Sequence, residues 1–422
     1  MGDAASTRRF GGFPAQNGEM LLVDAAVVGG GPAGVAAAIT LARAGREVAL
    51  VDRAGFPRDK CCGDGLTAGA LRLYEQLGLQ PKTIASWQPV GDVVLRSPSG
   101  RTIALPLPRG QGLFAAVARR TELDAAFLDV ARAEGVKVHD GHGLTGARQD
   151  HERVVLDVDG LGEVQTRYAI GADGMWSPLR KALDAATPGY LGEWHAFRQY
   201  FTGVSTEATE KLFVWFEPDL LPGYAWSFPL PDRHANVGFG IQRGAKVTVP
   251  QMKTLWPDLL SRPAISTVLG PSAEAESAHR AWPIPARVDT IRLTSRRTMF
   301  VGDAAAATDP MTGEGIAQAL LTGVLAARAA ADAGPSDAAS ATSRYTAETR
   351  AALVADHRMS MLLVRALKHR KGARAALRVA DLTDWTRRNF ARWLFEDYPR
   401  AVVVTPRRWH RGMFSAPGTF RD

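Results

Sequence analysis

A glycine turn between two apolar strands constrains this chain more than any other feature. Val27 to Gly34 reads Val-Val-Gly-Gly-Gly-Pro-Ala-Gly, entered from an apolar run that begins at Ala25. Gly29, Gly31 and Gly34 fall on the spacing GxGxxG. Ala33 to Ala44 reads as a helix of small residues, stopped by Gly45. A second apolar run, Val48 to Val51, closes on Asp52. Short apolar runs of this kind are buried parallel strands. In such a unit the first glycine makes the tight turn, the second lets the backbone approach a pyrophosphate, and the third lets helix and strand pack closely. The helix N-terminus offers free N–H groups and a positive dipole end to phosphates. An acid about 20 residues on suits a ribose hydroxyl pair. Strand, glycines, helix, strand and acid stand in order, so the unit is predicted to hold a dinucleotide. Arg53, next to Asp52, is counted with the same binding site.

The 422 residues are enough for two or three domains. The two cysteines, Cys61 and Cys62, are adjacent. Neighbouring cysteines rarely bridge, so neither a disulfide framework nor a zinc site is expected, and a reducing cytoplasm fits. The nine histidines show no metal-ligand spacing. Met1 to Gln16 is polar and glycine-rich, without an apolar signal core, and residues 1–22 are expected to form a mobile tail. No uncharged run of 18 apolar residues occurs, so no membrane span is predicted. The net charge of +8 is a C-terminal property: Ala351 to Asp422 carries 15 Lys+Arg against 6 Asp+Glu. There Met359, Leu363, Ala366 and Leu367 lie on one helical face, with arginines, lysines and later tryptophans around them. Two readings stand: a solvated basic face whose aromatics pack on the main body, or peripheral contact with an anionic membrane. No nucleic-acid-binding module is visible, and no nucleic acid is expected.

Along the chain, Gly55 to Gly65 reads as a loop and Thr67 to Leu77 as a helix. Val93 to Pro106 is a hairpin turning at Pro98-Ser99-Gly100. A helix is predicted over Arg120 to Glu134, and strands over Val154 to Val158 and Val164 to Ile170. From Glu193 to Arg292 aromatic, alternating segments predict a predominantly β region, including Phe213 to Phe216, Tyr224 to Phe228 and Ala235 to Ile241. A strand at Met299 to Val301, a turn at Gly302-Asp303 and a helix over Gly315 to Ala331 follow. Gly334 to Thr342 is small and polar and reads as a connection.

Four further motifs stand in order: Arg120-Thr-Glu-Leu-Asp124, Gly171-Ala-Asp-Gly-Met-Trp-Ser-Pro-Leu-Arg180, Val301-Gly-Asp-Ala304 and Asp309-Pro-Met-Thr-Gly-Glu-Gly-Ile316. Together they resemble the flavoprotein monooxygenase-like FAD fold over most of residues 23–330. Phe56-Pro-Arg-Asp-Lys-Cys-Cys-Gly-Asp-Gly65 and Gly223-Tyr-Ala-Trp-Ser-Phe-Pro229 are similar to the geranylgeranyl reductase family, as are Gly313 to Gly315 and Asn236 to Gly240. Within it, the loop around Lys60 to Gly65 resembles the type that saturates a menaquinone side chain. The resemblance implies an α/β fold: a Rossmann-like FAD-binding domain with an inserted, predominantly β substrate domain and a C-terminal helical region. The expected division gives 23–86, 111–190 and 293–335 to the FAD-binding domain, 87–110 and 191–292 to the substrate domain, and 336–422 to the basic helical region.

By the resemblance, Arg120 reaches the phosphate or ribityl region of FAD, Asp303 bonds the ribityl hydroxyls, and Gly313 to Gly315 lead into a helix aimed at the flavin ring; Gly302 and Pro310 are counted with the cofactor-binding residues. Guanidinium forks suit phosphate, and a carboxylate accepts from hydroxyls. A helix starting after Gly315 would stabilise negative charge on reduced flavin through its dipole and free N–H groups. Asp173 is open between cofactor contact and strand-to-helix turn. Tyr224, Trp226 and Phe228 share one strand face and are expected to wall an apolar pocket. Cys62 and Tyr224 are candidate proton donors, and Trp226 is grouped with them. The implied reaction reduces carbon–carbon double bonds of an isoprenoid chain. The rivals are a flavin monooxygenase or halogenase, and a cyclase or isomerase with non-redox FAD. Halogenases of the tryptophan type would carry Trp-x-Trp-x-Ile-Pro, where this chain has Tyr224 and Phe228. The electron donor is left open between NADPH and a partner protein.

Overall fold

The computed structural model describes residues 20–421, so residues 1–19 of the expected tail lie outside the described residues. Leu21 and Leu22 already belong to the first strand, Leu21–Val28. From Ala25 to Val28 every side chain is buried, and the strand is sandwiched in parallel between Gly162–Gly171 and Val48–Asp52. Lys137–Asp140 pairs beyond Val48–Asp52, and Thr298–Phe300 beyond Gly162–Gly171. The order of strand addition reverses at Leu21–Val28. The crevice beyond the carboxyl ends of Val28 and Gly171 is therefore the switch point where such sheets bind ligands. Val154–Val158 and Leu144–Gln149 extend this sheet antiparallel. Lys137–Asp140 and Leu144–Gln149 were not expected: both are polar and half-exposed, so neither carries an apolar run.

The second sheet also has eight strands. Its centre runs Trp194–Thr202, His234–Gln242, Tyr224–Leu230 and Lys211–Trp215, all antiparallel. The hairpin Asp92–Arg96 and Thr102–Pro106 joins it, with Lys211–Trp215 parallel to Asp92–Arg96. One face is closed by two helices, Met252–Ser261 and Pro263–Leu269, inside the region read as β. Trp256, Leu259, Ile265 and Leu269 pack there on Phe197, Val237 and Phe239. Alternation in the neighbouring strands hid that helical spacing. The other face carries Trp194, Tyr224, Trp226 and Phe228 and lines the large cavity described below.

Pro32–Arg43 and Ile316–Ala333 form a close helical seam. A Cβ on Gly323 would stand 2.1 Å from the carbonyl oxygen of Ala33, so only glycine permits the approach. Among the described residues Ile316–Ala333 is the one helix long and apolar enough to cross a membrane. It packs against both Pro32–Arg43 and the next helix, which uses its apolar faces inside the fold. Thr322, on the same helix, accepts the Gly302 amide at 3.0 Å and donates to Gln318 O, both buried. Thr322→Val leaves that amide unpaired at nearly constant volume. It is expected to cost about 2 kcal/mol, read as a lowered urea midpoint; an unchanged midpoint would show that the turn finds another acceptor.

Ala338–Leu367, Arg370–Ala380 and Asp384–Leu394 are the last three α-helices among the described residues. The expected connection over 334–342 is shorter than read. Asp337 accepts the Ser340 amide at 2.9 Å, and this N-cap starts a 30-residue helix at Ala338.

Candidate active site

At the switch point, Gly29 turns with φ +110°, and a Cβ there would lie 2.3 Å from Ala172 O. A Cβ on Gly34 would meet Gly29 O at 1.9 Å. Gly31 is different: its Cβ would find only the end of the Arg58 side chain, at 3.7 Å. It faces the cavity, and no side chain caps the helix it begins. An open, uncapped helix N-terminus is what a pyrophosphate requires. Asp52 accepts from Gly30 N at 2.6 Å and Ala54 N at 2.8 Å. Each oxygen keeps a lone pair for a hydroxyl, and Arg53 lines the cavity beside it.

Arg120 is buried and directs Nε and Nη2 onto Asp124, at 2.8 and 2.7 Å. The fork expected to hold phosphate is thus closed on a carboxylate four residues on. Arg58 Nη1 lies 3.1 Å from the same carboxylate. Two guanidiniums share one negative charge, which leaves a net positive charge at the cavity wall that both line. Asp173 also lines the wall, but its oxygens take Ser177 Oγ (2.6 Å) and Leu179 N (2.8 Å). These bonds hold the strand-to-helix turn, and burial pushes the carboxyl up to about 6.

The second half of the crevice comes from 302–316. Gly302 is in the left-handed region, and a Cβ there would be 3.0 Å from the Ala33 Cβ. Asp303 is half-exposed to the cavity, with Lys60 Nζ at 3.7 Å. Lys60 stacks over Trp282, 4.1 Å to the ring centre, and burial lowers its pKa. Gly313 and Gly315 line the cavity, whereas Pro310 is buried behind it. The helix after Gly315 does not present all its N–H groups freely: Glu314 Oε1 accepts from Ile316 N (2.8 Å) and Ala317 N (3.1 Å). Glu314 was passed over between the two glycines. Burial first, then the carboxylate of Glu396, raises its pKa well above the ordinary range. Glu396 is itself raised, chiefly by burial, and accepts from Gln318 Nε2 (2.7 Å) and Thr67 Oγ1 (3.0 Å).

The cysteine loop is clamped from below by the second sheet. Asn236 Nδ2 donates to Cys62 O (2.9 Å) and to Asp64 Oδ2 (2.8 Å), and Tyr200 Oη donates to the same oxygen at 2.6 Å. Trp226 Nε1 donates to Asn236 Oδ1 at 3.1 Å, so this indole is part of the clamp. Asp64 is fully buried, and burial pushes it up to about 6. Arg198, also buried, reaches Asp59 at 2.8 Å. Phe228 lies under Gly63 and Gly65, where a Cβ would meet its ring at 3.1 and 2.9 Å. Burial pushes Cys61 up to about 12 and raises Cys62 as well, so both are neutral thiols. Asn236→Ala should therefore free the loop and raise the rate of thiol alkylation severalfold at about pH 8. Equal rates in variant and parent would mean the loop is held elsewhere. Tyr224 donates its hydroxyl to Thr312 O, and burial raises its pKa.

Of the expected site residues, Gly29, Gly31, Asp52, Arg53, Cys62, Arg120, Asp173, Tyr224, Trp226, Gly302, Asp303, Gly313 and Gly315 line one cavity of about 1220 Å³, with Glu314 among them, whereas Gly34 and Pro310 do not reach it. It exceeds the size usual for one small ligand. Beyond Tyr224, Trp226 and Phe228 it continues between the sheet and the C-terminal helices, against Leu363, Leu367, Ala376, Leu377, Phe390 and Leu394.

Residues 22–355 match the FAD binding domain family. Menaquinone reductase of Mycolicibacterium smegmatis is 34% identical over 345 residues, covering 75% of this chain and 78% of that protein. Geranylgeranyl diphosphate reductase of Rhodobacter capsulatus is 30% identical, covering 73% and 74%. The solved geranylgeranyl bacteriochlorophyll reductase-like protein of Thermoplasma acidophilum superposes with a TM-score of 0.74 at 20% identity, covering 93% and 97%. A flavin-dependent halogenase superposes with a TM-score of 0.70 at 24% identity, covering 93% of this chain and 74% of its own. At those identities the two structures show the fold alone. The chain belongs to the geranylgeranyl reductase family of FAD-dependent oxidoreductases. FAD is its cofactor, and the open Gly31 corner, the uncapped helix and the excess positive charge fit the dinucleotide.

Proposed function

We propose that this protein saturates carbon–carbon double bonds in an isoprenoid chain of the geranylgeranyl or polyprenyl-quinone type. The observation that carries this reading is the continuous cavity: polar at the glycine turn, then apolar past Tyr224, Trp226 and Phe228 to the C-terminal helices. Relatives at 30–34% identity named as reductases of menaquinone and geranylgeranyl diphosphate support it. Bound, reduced FAD supplies a hydride. An unactivated alkene accepts hydride poorly, so the chain must be gripped and kept dry; the aromatic strand and the clamped cysteine loop do this. The second alkene carbon needs a proton. Tyr224 is committed to Thr312 O, and Cys62 Sγ accepts the Asp64 amide at 3.4 Å. Glu314 lines the cavity with a carboxyl that stays protonated near neutrality, and is assigned the donor's role.

The test is anaerobic. Protein reduced with dithionite is mixed with a quinone bearing an unsaturated polyprenyl chain, and the product is weighed by mass spectrometry. A gain of two hydrogens per bond is expected. A product that gains oxygen or halogen only when air and halide are admitted would replace this reading with the monooxygenase one.

A further inference from the structure

Twelve large hydrophobic side chains are exposed among the described residues, and eight of them lie after residue 361. Leu362 (58% exposed), Val379 (61%), Leu382 (70%) and Trp385 (65%) sit on three successive helices and the turn between the last two. Among them stand Arg365, Lys368, Arg370, Lys371, Arg374 and Arg378, all exposed. None of these six has an ion-pair or side-chain hydrogen-bond partner among the described residues. The contrast with inward cations of the same region is sharp. Arg387 is paired with Asp381, Arg392 with Asp397 and Arg408 with Asp356. The inner sides of the same helices, at Leu363, Leu367, Ala376 and Leu377, form the apolar end of the cavity.

We infer that the outer surface of the helices spanning residues 362–385 docks on an anionic lipid bilayer, with the apolar end of the cavity held at that surface. Unpaired cations set among exposed alkyl and indole groups match an interface of negative headgroups over hydrocarbon. Nucleic acid would meet the cations and leave Leu362, Val379 and Leu382 in water. A second copy meeting this surface face to face would bring six unpaired cations against their own kind. A long apolar chain leaving the bilayer here would enter the cavity without crossing water. That last consequence rests on the proposed substrate class; the docking itself does not.

The experiment is co-sedimentation of the flavin-loaded full chain with vesicles of phosphatidylglycerol and phosphatidylcholine, against phosphatidylcholine alone. Binding is expected to rise with phosphatidylglycerol content and to fall with salt. Leu382→Ser/Trp385→Ser should weaken it at least about tenfold with flavin content and Tm unchanged, since neither side chain is packed. Lys371→Glu/Arg374→Glu lowers the charge of the six positions from +6 to +2 and should flatten the salt dependence markedly. Equal binding to both vesicle types, no binding to either, or unaltered binding by both double variants overturns the inference. So does light scattering that shows a parent dimer converted to monomer by the serine variant while vesicle binding persists. Reduction of a short, water-soluble isoprenoid alcohol without vesicles is measured alongside. Its failure with intact vesicle binding would count against the proposed reaction and leave the docking surface standing.

Discussion

Gly29→Ala is expected to yield protein without bound flavin. The residue sits at φ +110°, where an L side chain is strained, and the added methyl would lie 2.3 Å from Ala172 O and 2.6 Å from Ala172 C. The obstacle is backbone on the neighbouring strand, so no side chain can swing aside. Strain and overpacking together come to on the order of 3 kcal/mol, about a hundredfold if all of it falls on binding. Gly31→Ala separates the causes. Its methyl has open space toward the cavity, so the fold should keep its Tm while flavin is lost to occupation of the pyrophosphate's place. The measurement is the visible flavin-to-protein ratio of both variants beside their thermal melts. A Gly29→Ala protein that purifies yellow with the parent's Tm would show that the turn is not where the dinucleotide lies.

Glu314→Gln is expected to keep flavin and fold and to lose about a hundredfold or more of the reduction rate, the range of a general acid removed. Glutamine can still accept the Ile316 and Ala317 amides through its carbonyl oxygen, so the helix start survives. What it lacks is a proton to give. A pH signature distinguishes this from simple distortion. Burial and Glu396 raise the folded-state pKa of Glu314 above its ordinary 4.5. The folded chain therefore holds this proton longer than the unfolded chain does. That contribution to stability is full below 4.5 and is lost as pH rises through the raised value. The groups facing Glu314 are Glu396 and Arg400, and Asp309 adds its charge to Glu396. Parent Tm should thus fall between about pH 5 and pH 9 more steeply than that of Glu314→Gln. A variant with the parent's rate would return the donor's role to Cys62 or Tyr224.

The dinucleotide half of the site was legible because its information is local. Gly29, Gly31, Gly34 and Asp52 lie within 24 residues, and each is fixed by the geometry of one strand–helix–strand unit. The aromatic face of Tyr224, Trp226 and Phe228 was legible for the same reason, since alternation alone puts three side chains on one side of a strand. What stayed hidden depends on distant chain. Asn236 reaches Cys62 O across 174 residues, and Glu314 owes its raised pKa to burial first and then to Glu396, 82 positions on. Arg120 could be read as a cavity cation. That its fork closes on Asp124 needed the helix to be built. The C-terminal helices carried no family motif, and their part in the cavity follows from packing against the second sheet.

The close seam between Pro32–Arg43 and Ile316–Ala333 has a consequence for the order of events at the ribosome. The glycine turn lies early in the described residues, yet Gly323, which seats the seam on Ala33 and Ala37, is translated some 290 residues later. A nascent chain therefore carries a phosphate-binding corner whose brace does not yet exist. Flavin capture is therefore expected to become durable only after Gly323 has been translated, long after the glycine turn itself.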